Sequence, residues 1–129
     1  EEKKFFYEVK RILKSKGKIN FSTIDFEKTI KIWQKLKDDW KDFYKTSKKA
    51  ISEQHWFGTY TYDYNNRWGY IIASIYGSQH GNGQYHKNCY TEKKLISICK
   101  HLNFDKTKVS KFRWQGKRDY MIRVISFKK

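Results

Sequence analysis

Near Trp56 the apolar residues change their period. Before it they recur every three or four positions. After it they alternate, as in WFGTYTYDY (56–64) and RWGYIIASIY (67–76). A 3.6-residue repeat lays one helix face against a core, and a two-residue repeat does the same for a strand. A chain carrying both repeats in separate stretches is confined to the α+β class, with helices packed on a mainly antiparallel sheet. No stretch approaches the ~18 apolar residues of a membrane span, so no membrane role is expected.

In the front half, Phe5, Phe6, Val9, Ile12 and Leu13 mark a first helix that Gly17 can stop. Ser22-Thr23-Ile24-Asp25 is a capping-box variant, with Asp where Glu or Gln is usual. It predicts a long second helix over roughly 23–49. The apolar stripe of that helix is Phe26, Ile30, Trp33, Leu36 or Lys37, Trp40, Phe43 and Tyr44, and lysines fill most of its other face. In the back half, Asn65-Asn66 supplies a two-residue turn that joins the alternating runs into a hairpin.

Thr91 is placed to cap a short helix bearing Leu95, Ile98, Cys99 and Leu102, which Asn103 can end. Strands near 108–114 and 118–127 then flank Gly116. An odd-length turn there puts Phe112, Trp114, Tyr120, Ile122 and Val124 on one face. It leaves Lys111, Arg113, Asp119, Met121 and Arg123 on the other.

The expected fold is α+β. Two N-terminal helices, the second one long, precede a β-hairpin, a short helix and a second β-hairpin that form a mainly antiparallel sheet. The 129 residues read as a single domain (1–129), with a helical N-terminal part (1–50) and a basic ββαββ part (56–129).

The net charge is +16 and it is unevenly placed. Residues 1–55 hold 15 Lys/Arg against 9 Asp/Glu, whereas residues 56–129 hold 14 against 4. Such a field attracts polyanions. The bases are interleaved with aromatics, most densely in KTKVSKFRWQGKRDYMIR (106–123) and YTYDYNNRWGY (60–70). Cations neutralise phosphates, aromatic faces stack on bases, and Arg can fork onto a guanine edge.

The expected function is nucleic-acid binding through a basic, aromatic-studded sheet face, with DNA slightly favoured over RNA. Lys111, Arg113, Lys117, Arg118 and Arg123 are the phosphate candidates. Arg67, Tyr62, Tyr64 and Trp68 add a second basic and stacking group.

The stretch GSQHGNGQYHKNC (77–89) concentrates chemistry-bearing residues. His86-x-x-Cys89 has a metal-ligand spacing that Cys99-x-His101 could complete. But residues two apart on a helix diverge by about 200°, so no metal is expected. His80 or His86 could serve as general acid or base in a metal-independent RNase. Gly77, Gly81, Asn82 and Gly83 favour a third reading, a pliable link whose polar groups meet a phosphate backbone. Past residue 55 the only carboxylates are Asp63, Glu92, Asp105 and Asp119, too scattered for a magnesium nuclease. No P-loop, dinucleotide fingerprint or Ser-His-Asp order is present, and no cofactor is expected.

The order α-β-β-α-β-β resembles half of a LAGLIDADG homing endonuclease, in which a saddle of strands lies in the DNA major groove. The resemblance is of element order, not of residues. HWFGTYTYDY (55–64) lacks that family's small-residue helix and closing acidic-Gly step, so its metal carboxylate has no counterpart here. GTY (58–60) and GYII (69–72) are similar to parts of a GIY-YIG nuclease core. No arginine follows them at a useful distance before Arg113, which sets that family aside.

Catalysis is thus not the leading expectation; a nuclease is the enzymatic alternative. A third expectation is an inhibitor or adaptor, of mobile-element or viral kind, that docks an acidic protein partner. Two cysteines make no disulfide framework and suit an intracellular setting, cytoplasm or nucleoid or nucleus.

Overall fold

The computed structural model describes residues 1–36, 72–77, 86–114 and 120–129, without the side chains of Ile72 and Ala73. The chain forms two compact units, Glu1–Asp25 with Tyr90–Lys129, and Phe26–Cys89. Mixed helix and strand with a three-stranded antiparallel sheet bear out the α+β class. Among the described residues, no helix is long and apolar enough to cross a membrane.

In the first unit, helix α1 (Glu2–Ile12) carries Phe6, Val9 and, just past its end, Leu13 on one stripe. Lys10 and Arg11 sit in its last turn, where cations complement the helix dipole. The helix stops before Gly17, because Leu13 is already extended (φ −69°, ψ 133°). Gly17 is needed for the turn that follows. Its N–H bonds the Lys14 carbonyl at 2.8 Å, and a Cβ there would meet that oxygen at 2.7 Å.

Strand β1 (Lys18–Ile24) corrects the expected helix start. Ser22 and Thr23, read as a capping box, lie in a strand whose Ile19 is buried and whose Phe21 packs on the core. The two-residue alternation of KINFSTI outweighs the cap signal because it pairs along its whole length with a later strand. Helix α2 (Phe26–Lys35) begins only after Asp25 and belongs to the second unit. The expected continuation of this helix to residue 49 lies outside the described residues.

Helix α3 (Glu92–His101) matches expectation. The Thr91 side chain accepts a hydrogen bond from the Lys94 N–H at 3.1 Å. Leu95, Cys99 and Leu102 are buried, and Asn103 takes a left-handed φ of 57° as the helix ends. Strands β2 (Phe104–Arg113) and β3 (Tyr120–Lys128) follow, and the sheet order is β1-β3-β2, antiparallel throughout. The turn around Gly116 lies outside the described residues.

The inner face of the sheet presents Ile19 from β1, Phe104 and Val109 from β2, and Ile122 and Val124 from β3 to α1 and α3. Phe6, Phe21 and Tyr90 meet edge-on, with centroids 5.4–6.4 Å apart. Edge-to-face rings add about 0.5–1.5 kcal/mol per pair beyond the area they bury.

The register of β2 corrects a second expectation. Phe112 stands opposite Met121, and Lys111 opposite Ile122. Arg123 is therefore on the outer face, while Lys111 and Arg113 share the inner face with Ile122. The cause is a β-bulge between Asp105 and Lys108, where Lys106 adopts a left-handed φ of 52°. One extra residue reverses the side-chain alternation. Phe104 before the bulge and Val109 after it can then both face the core.

The polar groups of the bulge are satisfied locally. The Lys106 N–H bonds Asp105 Oδ1 at 2.8 Å, and buried Ser126 Oγ donates to the Asp105 carbonyl at 2.9 Å. With its proton so engaged, Ser126 Oγ accepts from Thr107 Oγ1 at 2.7 Å. The Cys99 thiol lies against this pair; burial pushes its pKa up, and hydrogen bonds with Ser126 and Thr107 oppose that rise.

In the second unit, Thr29 is buried on α2, with Phe26, Ile30 and Trp33 half-buried around it. A π-helical turn occupies Ile72–Tyr76 and ends at Gly77 (φ 84°). A strand is expected there, and the element order departs from the α-β-β-α-β-β resemblance both here and at β1. Periodicity alone cannot assign a short, mostly apolar run such as IASIY. The rest of the expected hairpin, 56–71, lies outside the described residues.

Candidate nucleic-acid interface

The outer face of the sheet is built in cross-strand rows. Ser22, Arg123 and Ser110 form one row, with Arg123 on the central strand. Asn20, Ile125 and Lys108 form the next, and Lys18, Phe127 and Asp105 lie beyond them. Ile24, Met121 and Phe112 close the other end. Lys18, Asn20, Ser22, Lys108 and Ser110 are exposed, and the central-strand residues are half-buried.

Arg123 holds its place by two contacts. Its guanidinium lies 4.6 Å from the Phe112 ring centroid, and Nε donates to Ser22 Oγ at 3.3 Å. Among the described residues no carboxylate pairs with it. A planar cation braced on a ring and flanked by hydroxyls presents donors suited to phosphate or to a base edge.

The other candidates have different surroundings. Lys111 Nζ lies 3.5 Å from the buried Asp25 carboxylate and 3.6 Å from Glu92. Arg113 lies over the Tyr120 ring, 4.7 Å from its centroid, and donates to Tyr120 Oη at 2.9 Å. The structure thus separates Arg123 from Lys111 and Arg113. Lys117, Arg118, Arg67, Tyr62, Tyr64 and Trp68 lie outside the described residues, as does His80.

Two histidine sites are defined. His86 is exposed, and its main-chain N–H bonds the Tyr76 carbonyl at 3.0 Å. Its ring Nδ1 lies 3.3 Å from the Ser74 carbonyl, which can only accept, so Nδ1 carries the proton. In the neutral ring Nε2 is then the acceptor. His101 Nε2 pairs with Tyr7 Oη at 3.1 Å beside an open cleft of about 340 Å³, floored by Phe6, Ile98 and Leu102. That pairing joins residues 94 positions apart and leaves no local sequence signal. Among the described residues, no cluster of His, Cys, Asp and Glu could hold a metal ion.

Carboxylates gather where β1 ends and β3 begins. Glu2 binds Lys94 at 2.8 Å, and Lys94 lies 4.5 Å from the Tyr90 ring centroid. Burial pushes the Glu2 carboxyl up, but hydrogen bonds with Lys94 and Tyr90 outweigh it and leave the pKa below its ordinary value. Burial, together with the bond to Glu2, pushes Tyr90 well above the usual tyrosine range. No protein-family model matches this sequence, and neither the curated proteins nor the solved structures provide a match.

Proposed function

We propose that the chain binds nucleic acid through the outer face of its sheet. The observation that carries the reading is Arg123, unpaired with any described carboxylate, braced on Phe112 and set between Ser22 and Ser110. Lys18 and Lys108 in the neighbouring rows would contact phosphates, and a net charge of +16 would draw the polyanion in. The expected preference for DNA over RNA rests on an element order that the fold departs from, so both belong in the test.

The experiment is fluorescence anisotropy with labelled single-stranded DNA, duplex DNA and RNA across a salt series. Tight binding that falls steeply with salt and favours one substrate is expected. Arg123→Glu should weaken it about tenfold or more, and Arg113→Glu should weaken it less. Unchanged affinity in a folded Arg123→Glu variant sinks the surface. Failure to bind any of the three at physiological salt would favour docking to an acidic protein.

A second reading, strand cleavage, draws on His86, whose Nδ1–H bond to Ser74 leaves Nε2 to accept a proton. It requires cleavage products that His86→Ala abolishes. Intact substrate after prolonged incubation, with and without Mg²⁺, dismisses it.

A further inference from the structure

We propose that one end of the first unit, a lysine pole, is a clamp for the phosphodiester backbone of the nucleic acid. The proposal rests on the reading above and adds where the strand is held.

The register collects the lysines. Lys16 N–H bonds the Lys128 carbonyl and Lys128 N–H bonds the Gly17 carbonyl, both at 2.9 Å, which extends the β1–β3 ladder into the turn after α1. Lys14 and Lys16 lie in that turn, Lys18 opens β1, and Lys129 follows β3. Phe104 stands opposite Lys128, and the bulge places Lys106 two residues on. Lys14, Lys16, Lys18, Lys106 and Lys129 are exposed. None of them reaches a described carboxylate within ion-pair distance. The acid at this end is Asp105, which accepts from the Lys106 N–H.

A purely structural role accounts for only part of this. Lys128 Nζ bonds the Leu13 carbonyl at 2.6 Å and so caps the C-terminal end of α1. The exposed lysines have no such duty.

The opposite end has mixed charge, with bases set against acids. Glu2, Asp25 and Glu92 lie there, holding Lys94 and Lys111. Charge is therefore graded along the strand direction. A backbone lying on the outer face would be drawn toward Lys18, which sets where on the sheet it is held.

Two triple variants of equal charge separate this site from net charge. Lys14→Gln/Lys16→Asn/Lys18→Gln removes the pole; Asn tolerates the left-handed φ of 61° at position 16. Lys3→Gln/Lys4→Gln/Lys93→Gln removes as many exposed lysines from the opposite end. Binding is read with a labelled 20-base-pair duplex across a salt series, after circular dichroism confirms folding.

Each phosphate contact contributes about 0.9 to the slope of log K against log salt. The pole variant should lower that slope by about two or more, and the control by less than about one. Equal slopes in the two variants overturn the clamp, because net charge alone then accounts for binding. If Arg123→Ala has no effect while the pole variant still lowers the slope, the sheet-face reading fails and the clamp survives. Vesicles of phosphatidylserine and phosphatidylcholine form the last arm. Tighter binding to them than to the duplex, with the same lysine dependence, overturns the assignment to nucleic acid.

Discussion

The two faces of the three-stranded sheet share one backbone and have opposite chemistry. The inner face carries Ile19, Phe104, Ile122 and Val124 under two helices. The outer face carries Arg123, two serines, an asparagine and two lysines beside half-buried apolar residues. On β1 and β3 plain alternation produces the difference. On β2 it depends on the bulge at Lys106, without which the residues that follow would change sides. Which side of β2 joins the core and which joins the proposed binding face thus turns on one extra residue in one edge strand.

The division is most open to change in β2. Deleting Lys106 removes the extra residue, so Thr107 comes opposite Ser126, and Lys108, Val109, Ser110 and Phe112 keep their faces with stability close to the parent's. Deleting Val109 instead keeps the bulge and should turn Ser110 and Phe112 inward and Lys111 and Arg113 outward. Losing the Val109 contact and burying a serine without a partner should cost about 4 kcal/mol, from roughly 1.5–3 for the apolar side chain and roughly 1–3 for the hydroxyl. Denaturant unfolding measures both variants. Equal stability of the two would mean that the register does not fix which face of β2 meets the core.

A smaller effect should separate two adjacent residues on β3. Ile122 is fully buried, and Ile122→Ala should cost about 3–4 kcal/mol. Arg123→Ala, one position on, should cost under ~1 kcal/mol. Comparable losses from the two would erase the division between the faces.

The smallest effect concerns the helices over the inner face, which are tied by Glu2 and Lys94. The Glu2 pKa is lowered in the folded protein, so its contribution is present above the ordinary carboxylate range and lost as pH falls through the folded value. A Glu2→Gln variant should therefore be less stable than the parent by under ~1 kcal/mol at neutral pH, with the difference closing in acid. A difference that persists or widens in acid would show that Glu2 acts by packing instead.

The legible parts of the fold were those fixed by local chemistry. Thr91 before an apolar stripe and Asn103 after it announce α3, and both act as the sequence suggests. The inward side of β3 follows from Ile122 and Val124. β1 was hidden because Ser22 to Asp25 is equally a strand end and a cap, and only pairing with residues 121–127 decides between them. The bulge was hidden because Lys106 lacks the Gly that usually marks a left-handed position. That one residue moved Arg123 away from Lys111 and Arg113. The engagement of Lys111 by Asp25 and Glu92 was equally unreadable, since proximity across so many positions is a product of the fold.

The strand order has a kinetic consequence. β3 is the middle strand, so β1 and β2 have no ladder with each other. Ile19 pairs with Ser126, about a hundred residues later. As the chain emerges from the ribosome, β1 must stay without its partner until β3 is made, and closing so long a loop is entropically unfavourable. β1 therefore joins the sheet late, and it passes that interval as an unpaired, aggregation-exposed segment. Its flanking Lys14, Lys16 and Lys18 would then repel neighbouring chains and act as gatekeepers.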